Sequence, residues 1–231
     1  MKVFLLAHAG GNVWEYKRLF SELEEEAELI PIELPADAST VSKKGYDDFE
    51  GYLDHSIRAI RSNTSDGEKV ILFGHSFGGY LVHEIASVMP ERIAGITASC
   101  CRPYHLYTMP DKGNGTYLAL FGYNENLSER LTELFEPLIA DKIEIVERYC
   151  QKYREGRKRI KLDIPSQVLY ADKDDNICGS SEWFDYYEER NCEITEFNGG
   201  HFYWRDLEEN KQQLINCLRK MICRLKKEEN H

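Results

Sequence analysis

"VILFGHSFGGYLVHEIASV", residues 70–88, joins a run of β-formers to a helical pattern through a serine set between glycines. Val70, Ile71, Leu72 and Phe73 read as a short buried strand. From Tyr80 onward the apolar residues Leu81, Val82, Ile85 and Val88 fall at helical spacing. A tight glycine-rich strand-to-helix turn can bind phosphate, make a corner or cap a helix. This one lacks the lysine of a P-loop, and its glycines are not spaced G-x-G-x-x-G. Gly74-His75-Ser76-Phe77-Gly78 is instead G-x-S-x-G, the nucleophile elbow. In that turn the serine side chain must project from a strained backbone, so small residues are required two before and two after it.

Outward from the elbow, strand and helix patterns alternate. Residues 3–8, 28–34, 93–99, 166–171 and 193–197 read as strands; 14–25, 47–61, 181–190 and 206–226 read as helices. The pattern implies an open α/β fold with a mostly parallel sheet covered on both faces. Between Cys100 and Ile164 the alternation stops. Helical stretches at 127–135 and 140–154, punctuated by prolines and glycines, suggest an insertion at about residues 101–163 that covers the crevice at the strand ends. The whole chain, 1–231, is expected to be one domain.

Composition excludes several function classes. The chain has 231 residues, a net charge of −11, and seven cysteines, with a mean hydropathy of −0.53. So acidic a chain argues against nucleic-acid binding or attraction to anionic membranes. No segment is apolar enough to span a bilayer, and the apolar run at residues 3–7 is too short for a signal peptide core. The cysteines form no C-x-x-C and no zinc spacing, so free thiols in the cytoplasm are expected, with no metal.

A serine hydroxyl needs a base, and the base needs an orienting acid. In α/β-hydrolases they follow in the order Ser, Asp/Glu, His. His201, in "FNGGHFYW" after the last strand, fits the base; the loop "ADKDDN" after the preceding strand offers Asp172, Asp174 and Asp175 as acids. Two N–H donors must face the developing oxyanion. Phe77, after the nucleophile, supplies one, and the glycine-rich "HAGGN" after the first strand is the source of the other.

With these pieces in place the chain resembles the type II thioesterases, the stand-alone editing enzymes of nonribosomal peptide and polyketide synthesis. "AHAGGN" is similar to the family's P-H-A-G-G opening, and "FGHSFGGYLVHEIA" to its elbow and following helix, Glu84 included. "RPYH" and "EPLIADKIEIVERY" resemble its lid segments, and "NGGHFYW" its histidine motif. The resemblance implies Asp174 as the acid and the Ala9 N–H as the second oxyanion donor. It implies hydrolysis of acyl groups from the phosphopantetheine arm of an acyl or peptidyl carrier protein, with no cofactor of the enzyme's own. Two departures stand out: Pro35-Ala36-Asp37 replaces the family's P-G-R, and Ala7 replaces its opening proline.

Trp14, Tyr104, Tyr107 and Phe121 are candidate aromatic contacts around the acyl channel, Trp14 and Tyr104 above all. Arg148, Lys152, Arg154, Arg157, Lys158, Arg159 and Lys161 form a basic run broken only by Glu155, with Arg157, Lys158 and Arg159 as candidate docking residues for an acidic carrier. The enzyme is expected to act as a monomer. The rival readings are a small-molecule carboxylesterase with the same triad, or a binding module that keeps the pocket without the chemistry.

Overall fold

The alternating pattern carries through to the backbone. In the computed structural model β1 (Lys2–Leu6), β2 (Glu28–Pro31), β3 (Val70–His75), β4 (Ile93–Ser99), β5 (Ser166–Ala171) and β6 (Cys192–Phe197) form one sheet, ordered β2-β1-β3-β4-β5-β6. Every pairing is parallel. The structure describes residues 1–111, 116–174 (less 121–128) and 181–229, and leaves the side chains of 119, 120, 129, 206 and 229 undescribed. All six residues of β3 are buried, as a strand covered on both faces requires.

The helices are α1 (Val13–Leu19), α2 (Phe49–Ser62), α3 (Phe77–Val88), α4 (Tyr117–Leu120), α5 (Glu129–Arg154), α6 (Tyr203–Asp206) and α7 (Glu208–Glu229). Asp48 caps α2 by accepting from the Gly51 N–H at 2.8 Å, and Phe49, Tyr52, Leu53, Ile57 and Ile60 turn inward at helical spacing. Arg219 on α7 reaches Glu22 and Glu26, just beyond α1, at 2.8 Å each, so these two helices share a face. α3 packs on β1, β3 and β4 and against α2. β1 pairs with β2 on one side and β3 on the other, which places a switch point, and a crevice, at its C-terminal end. Among the described residues no helix is long and apolar enough to cross a membrane.

Several elements differ from the sequence expectation. β2 ends at Pro31, and the helix expected at 14–25 stops at Leu19, with a single 3-10 turn at Ser21–Leu23. Residues 181–190 do not form a helix: a 3-10 turn, Ser181–Asp185, suffices to bury Trp183, Tyr186 and Tyr187 around His83. Tertiary packing of those rings overrides the helical spacing. α7 starts at Glu208 because Leu207 is extended, at φ −135° and ψ 127°. In the insertion, α5 runs unbroken from Glu129 through Pro137 to Arg154 where two stretches were expected. Its stripe of Ile139, Ile143, Val146, Cys150 and Tyr153 is buried, and that burial holds the helix together past the proline. Residues 127 and 128 of the expected first stretch lie outside the described residues.

Candidate active site

Ser76 stands between β3 and α3 at φ 55° and ψ −114°, a conformation that L-residues adopt only under constraint. The constraint is close backbone packing. A Cβ on Gly74 would lie 2.1 Å from the Gly78 carbonyl oxygen, and one on Gly78 would lie 2.4 Å from that of Leu6. Both small residues of G-x-S-x-G are therefore required by contact. The Ser76 N–H donates to the Ser99 carbonyl at 2.7 Å, tying the elbow to β4. Phe77 opens α3, where backbone N–H groups have no partner within the helix and the helix dipole favours negative charge.

His201 and Asp174 come from the loops after β6 and β5, and His201 Nδ1 lies 2.6 Å from Asp174 Oδ2, both groups buried. A carboxylate only accepts, so Nδ1 carries the proton and Nε2 is the basic nitrogen. Asp172 is used differently. Its Oδ1 accepts from the Gly199 N–H at 2.8 Å, stitching the acid loop to the histidine loop. The third candidate acid, Asp175, lies outside the described residues. Cys100, at the end of β4, sits beneath the pair. Its Sγ, an Asp174 oxygen and a His201 nitrogen lie within 4.8 Å of one another, the set among the described residues able to share a metal ion. Burial, and then the Asp174 carboxylate it bonds, hold that thiol well above its usual range, so it stays a protonated donor. His75 points away from the pocket: its Nδ1 meets Ser99 Oγ at 3.0 Å, and that oxygen meets the Tyr203 hydroxyl at 3.0 Å. This chain anchors the histidine loop two residues past His201.

One pocket brings Ser76, Phe77, Ala9 and His201 together, with Cys100 also in its lining. Tyr80, Tyr107 and Phe202 supply aromatic walls, and Lys142, Ile143 and Val146 of α5 close it from above. Trp14 and Tyr104 are not on that wall, against the sequence expectation. Trp14 is an exposed α1 side chain donating to Glu33 at 3.1 Å, drawn outward by the Asn12 cap that starts the helix. Tyr104 is wholly buried behind the pocket, stacked on Tyr153 and donating to the Tyr80 carbonyl at 2.8 Å. Phe121 lies outside the described residues.

Asp37, Lys142 and Cys100 were missed as site residues. Lys142 is 1% exposed and forms an ion pair with Asp37. The available signal was a lysine inside an apolar stripe, between Ile139 and Ile143, together with the acid standing in the P-A-D departure. Ala36 of that departure takes φ 56°, where a glycine would be unstrained.

The basic run is largely taken up within the chain. Arg157 lies 3.6 Å from the buried Glu84 and over the Tyr149 and Tyr153 rings, and Arg159 pairs with Asp185. Arg148, Lys152, Arg154 and Lys161 pair with Glu144, Glu50, Glu147 and Glu188. Of the three docking candidates Lys158 alone is exposed with no acidic partner among the described residues.

Residues 1–221 match the thioesterase domain family. Thioesterase TesA of Mycobacterium marinum (strain ATCC BAA-535 / M) is 22% identical over 231 residues, covering 93% of this chain and 88% of that protein. The RedJ thioesterase from the prodiginine biosynthetic pathway in Streptomyces coelicolor superimposes with a TM-score of 0.78 at 21% identity, over 95% of this chain and 85% of that chain. The type II thioesterase BorB from the borrelidin biosynthetic cluster does so with a TM-score of 0.78 at 20% identity, over 96% and 92%. The solved structures share the α/β-hydrolase fold; the family rests on the match along the sequence. By that match, the chain belongs to the thioesterase domain family.

Proposed function

We propose that the chain is a serine thioesterase of the type II, editing class, removing acyl groups from the phosphopantetheine arm of an acyl or peptidyl carrier protein. The observation that carries the chemistry is the buried 2.6 Å His201–Asp174 bond beside a serine held at φ 55°. The editing assignment is supported by the resemblance of the motifs and by the fold shared with thioesterases of biosynthetic pathways.

Ser76 Oγ attacks the thioester carbonyl carbon while His201 Nε2 takes its proton and Asp174 stabilises the imidazolium. The Ala9 and Phe77 N–H groups face the oxyanion. When the tetrahedral intermediate collapses, the C–S bond breaks and His201 returns the proton to the departing sulfur. A thiol of pKa about 8.5 is a far better leaving group than an amine. Water then attacks the acyl-enzyme carbonyl as its proton passes to His201; the bond from the acyl carbon to Ser76 Oγ breaks, His201 returns that proton to Ser76 Oγ, and the free carboxylic acid leaves. The described part of the insertion, α5 above all, acts as the lid, with Tyr107, Ile143 and Val146 as the acyl contacts. The free cysteines among the described residues support a cytoplasmic setting.

The test compares hydrolysis of an acyl-carrier thioester with that of the matching simple ester, alongside labelling by a fluorophosphonate. Labelling at Ser76 and faster thioester turnover are the expected results. A preference for the ester would make the chain a carboxylesterase, and failure to label Ser76 would overturn the catalytic reading.

A further inference from the structure

The buried ion pair of Asp37 and Lys142 binds the loop that carries Ala9 and lies near the Phe77 ring. Asp37 Oδ1 accepts from the Gly10 N–H at 3.1 Å and from Lys142 Nζ. Gly10 follows Ala9 directly, so this bond fixes the plane of the peptide next to the Ala9 N–H. The loop also meets α5 directly, since a Cβ on Gly10 (φ 69°) would lie 2.6 Å from Ile139 Cγ1. Lys142 Nζ also donates to the Ala36 carbonyl at 3.2 Å and sits 5.5 Å from the centre of the Phe77 ring. Asp37 is itself braced: its N–H donates to Thr40 Oγ1 at 3.3 Å, and Ala38 N–H donates to the Gly11 carbonyl at 3.0 Å.

We propose that Asp37 and Lys142 are positioning residues for the oxyanion loop, through which α5 fixes the Ala9–Gly10 peptide and so holds the adjoining Ala9 N–H in its productive orientation. The inference rests on reading the Ala9 N–H as an oxyanion donor. Burying two charges is costly, and apolar replacement of such a pair is often neutral or stabilising, so stability alone does not account for it. Its distinctive contribution is the carboxylate oxygen offered to Gly10. Burial raises the Asp37 carboxyl toward protonation and lowers the Lys142 ammonium, and each partner's charge opposes that shift in the other. Removing one partner would therefore confound charge with geometry. Paired substitutions do not.

The experiment compares Asp37→Asn/Lys142→Met, which removes both charges and keeps an acceptor for Gly10, with Asp37→Leu/Lys142→Met, which removes the acceptor as well. With a free acyl-pantetheine as substrate, the leucine variant is expected to fall below the asparagine variant in kcat by about 10- to 100-fold, less than outright loss of an oxyanion donor. KM should agree within about threefold, the two melting temperatures should be close, and a trifluoromethyl ketone that forms a tetrahedral adduct should bind the leucine variant more weakly by the same factor as kcat. If leucine does not fit, Asp37→Ala/Lys142→Met replaces it. Equal kcat in the two variants, or a loss that follows melting temperature, overturns the inference. Ser76→Ala in the same assay separates the layers. If that variant still hydrolyses the substrate, the serine mechanism itself fails; if it is inactive while the paired variants match, only the positioning role fails.

Discussion

The floor and the roof of the pocket are built in different ways. The floor is the C-terminal edge of the sheet: Ala9, Ser76, Asp174 and His201 each follow a strand by a few residues, and backbone contacts fix the elbow. The roof is α5, held by side chains reaching far along the chain. Lys142 meets Asp37, Tyr153 donates to Glu84 at 2.6 Å, and Arg154 donates to the Tyr107 carbonyl at 2.6 Å. The floor therefore depends on local pattern and small residues, whereas the roof depends on individual polar pairs. Changes on the floor should alter chemistry with little effect on stability, and breaking the Tyr153–Glu84 or Arg154–Tyr107 contact should do the reverse; the Asp37–Lys142 pair, which reaches down to the Gly10 N–H, is the exception and should show in kcat.

The largest effect expected is on the floor. Ser76→Ala and His201→Ala should each lose at least ~10³-fold in kcat while melting close to the native protein, because triad members act as a unit. Asp174→Asn should lose about 10³- to 10⁴-fold by misplacing the imidazole tautomer. Asp172→Asn keeps an oxygen for the Gly199 N–H and should remain within about threefold. Steady-state kinetics on one acyl-pantetheine decides the matter; a severe Asp172→Asn beside a mild Asp174→Asn would exchange their roles.

A second test uses pH, because buried histidines occur at both levels. Burial pushes His8 and His75, on the floor, well below the usual imidazole range. It pushes His83, among the rings beneath the insertion, to about 4. Below pH ~6.5 the unfolded chain binds protons at these sites that the folded chain does not, so stability falls with falling pH, by about 1.4 kcal/mol per pH unit for each histidine. Asp37 acts in the opposite sense. Its carboxyl is raised to about 6, so from there down to its ordinary 3.8 the folded state binds the extra proton and gains stability. Each unfolded histidine is half protonated at pH 6.5 and nearly fully so by pH 5.5, so the net loss should begin at about 2 kcal/mol per unit at pH 6.5 and be steepest, about 3 after the Asp37 contribution is subtracted, near pH 5–5.5. Urea unfolding across pH 5–7.5 measures this, and His83→Phe should remove about a third of the histidine contribution, nearly half of the steepest net slope. A curve flat through pH 6 would place protonated histidines in the folded state.

Legibility followed the same division. G-x-S-x-G, the order of strands, His201 and the "HAGGN" loop were readable because short-range rules fix them: glycine where backbones touch, β-formers in buried strands. The acid was narrowed to three residues by position, and its choice among them came from the resemblance; in the fold Asp172 is exposed and meets the Gly199 N–H, whereas Asp174 is buried against His201. The roof was legible as helical and no further. Nothing local marks Lys142 as the partner of a residue 105 positions away, or Arg157 as the partner of Glu84. Two of the aromatic candidates failed for a related reason, while a third, Tyr107, does line the pocket. Tyr104 and Trp14 have the right chemistry, but only packing decides which ring faces the pocket, and that wall is formed by Tyr80, Tyr107 and Phe202.

The smallest effect tests whether any of the basic run faces outward. Arg157→Glu would set a carboxylate against Glu84 and lose the contacts over Tyr149 and Tyr153. Breaking a buried pair typically costs 3–5 kcal/mol; because Arg157 is partly exposed, a loss of about 2 kcal/mol is expected, with carrier and pantetheine substrates hydrolysed equally well by whatever remains folded. Lys158→Glu removes no internal pair and should leave the melting temperature unchanged. An acidic carrier approaching an acidic enzyme gains from any positive charge left at the rim, and rim charges act mainly on association rate. The expected result is a loss of about two- to threefold in kcat/KM on the acyl-carrier substrate at low salt, shrinking as salt is added, with no change on free acyl-pantetheine. No loss on the carrier substrate would return the whole run, Lys158 included, to a purely structural role within the fold.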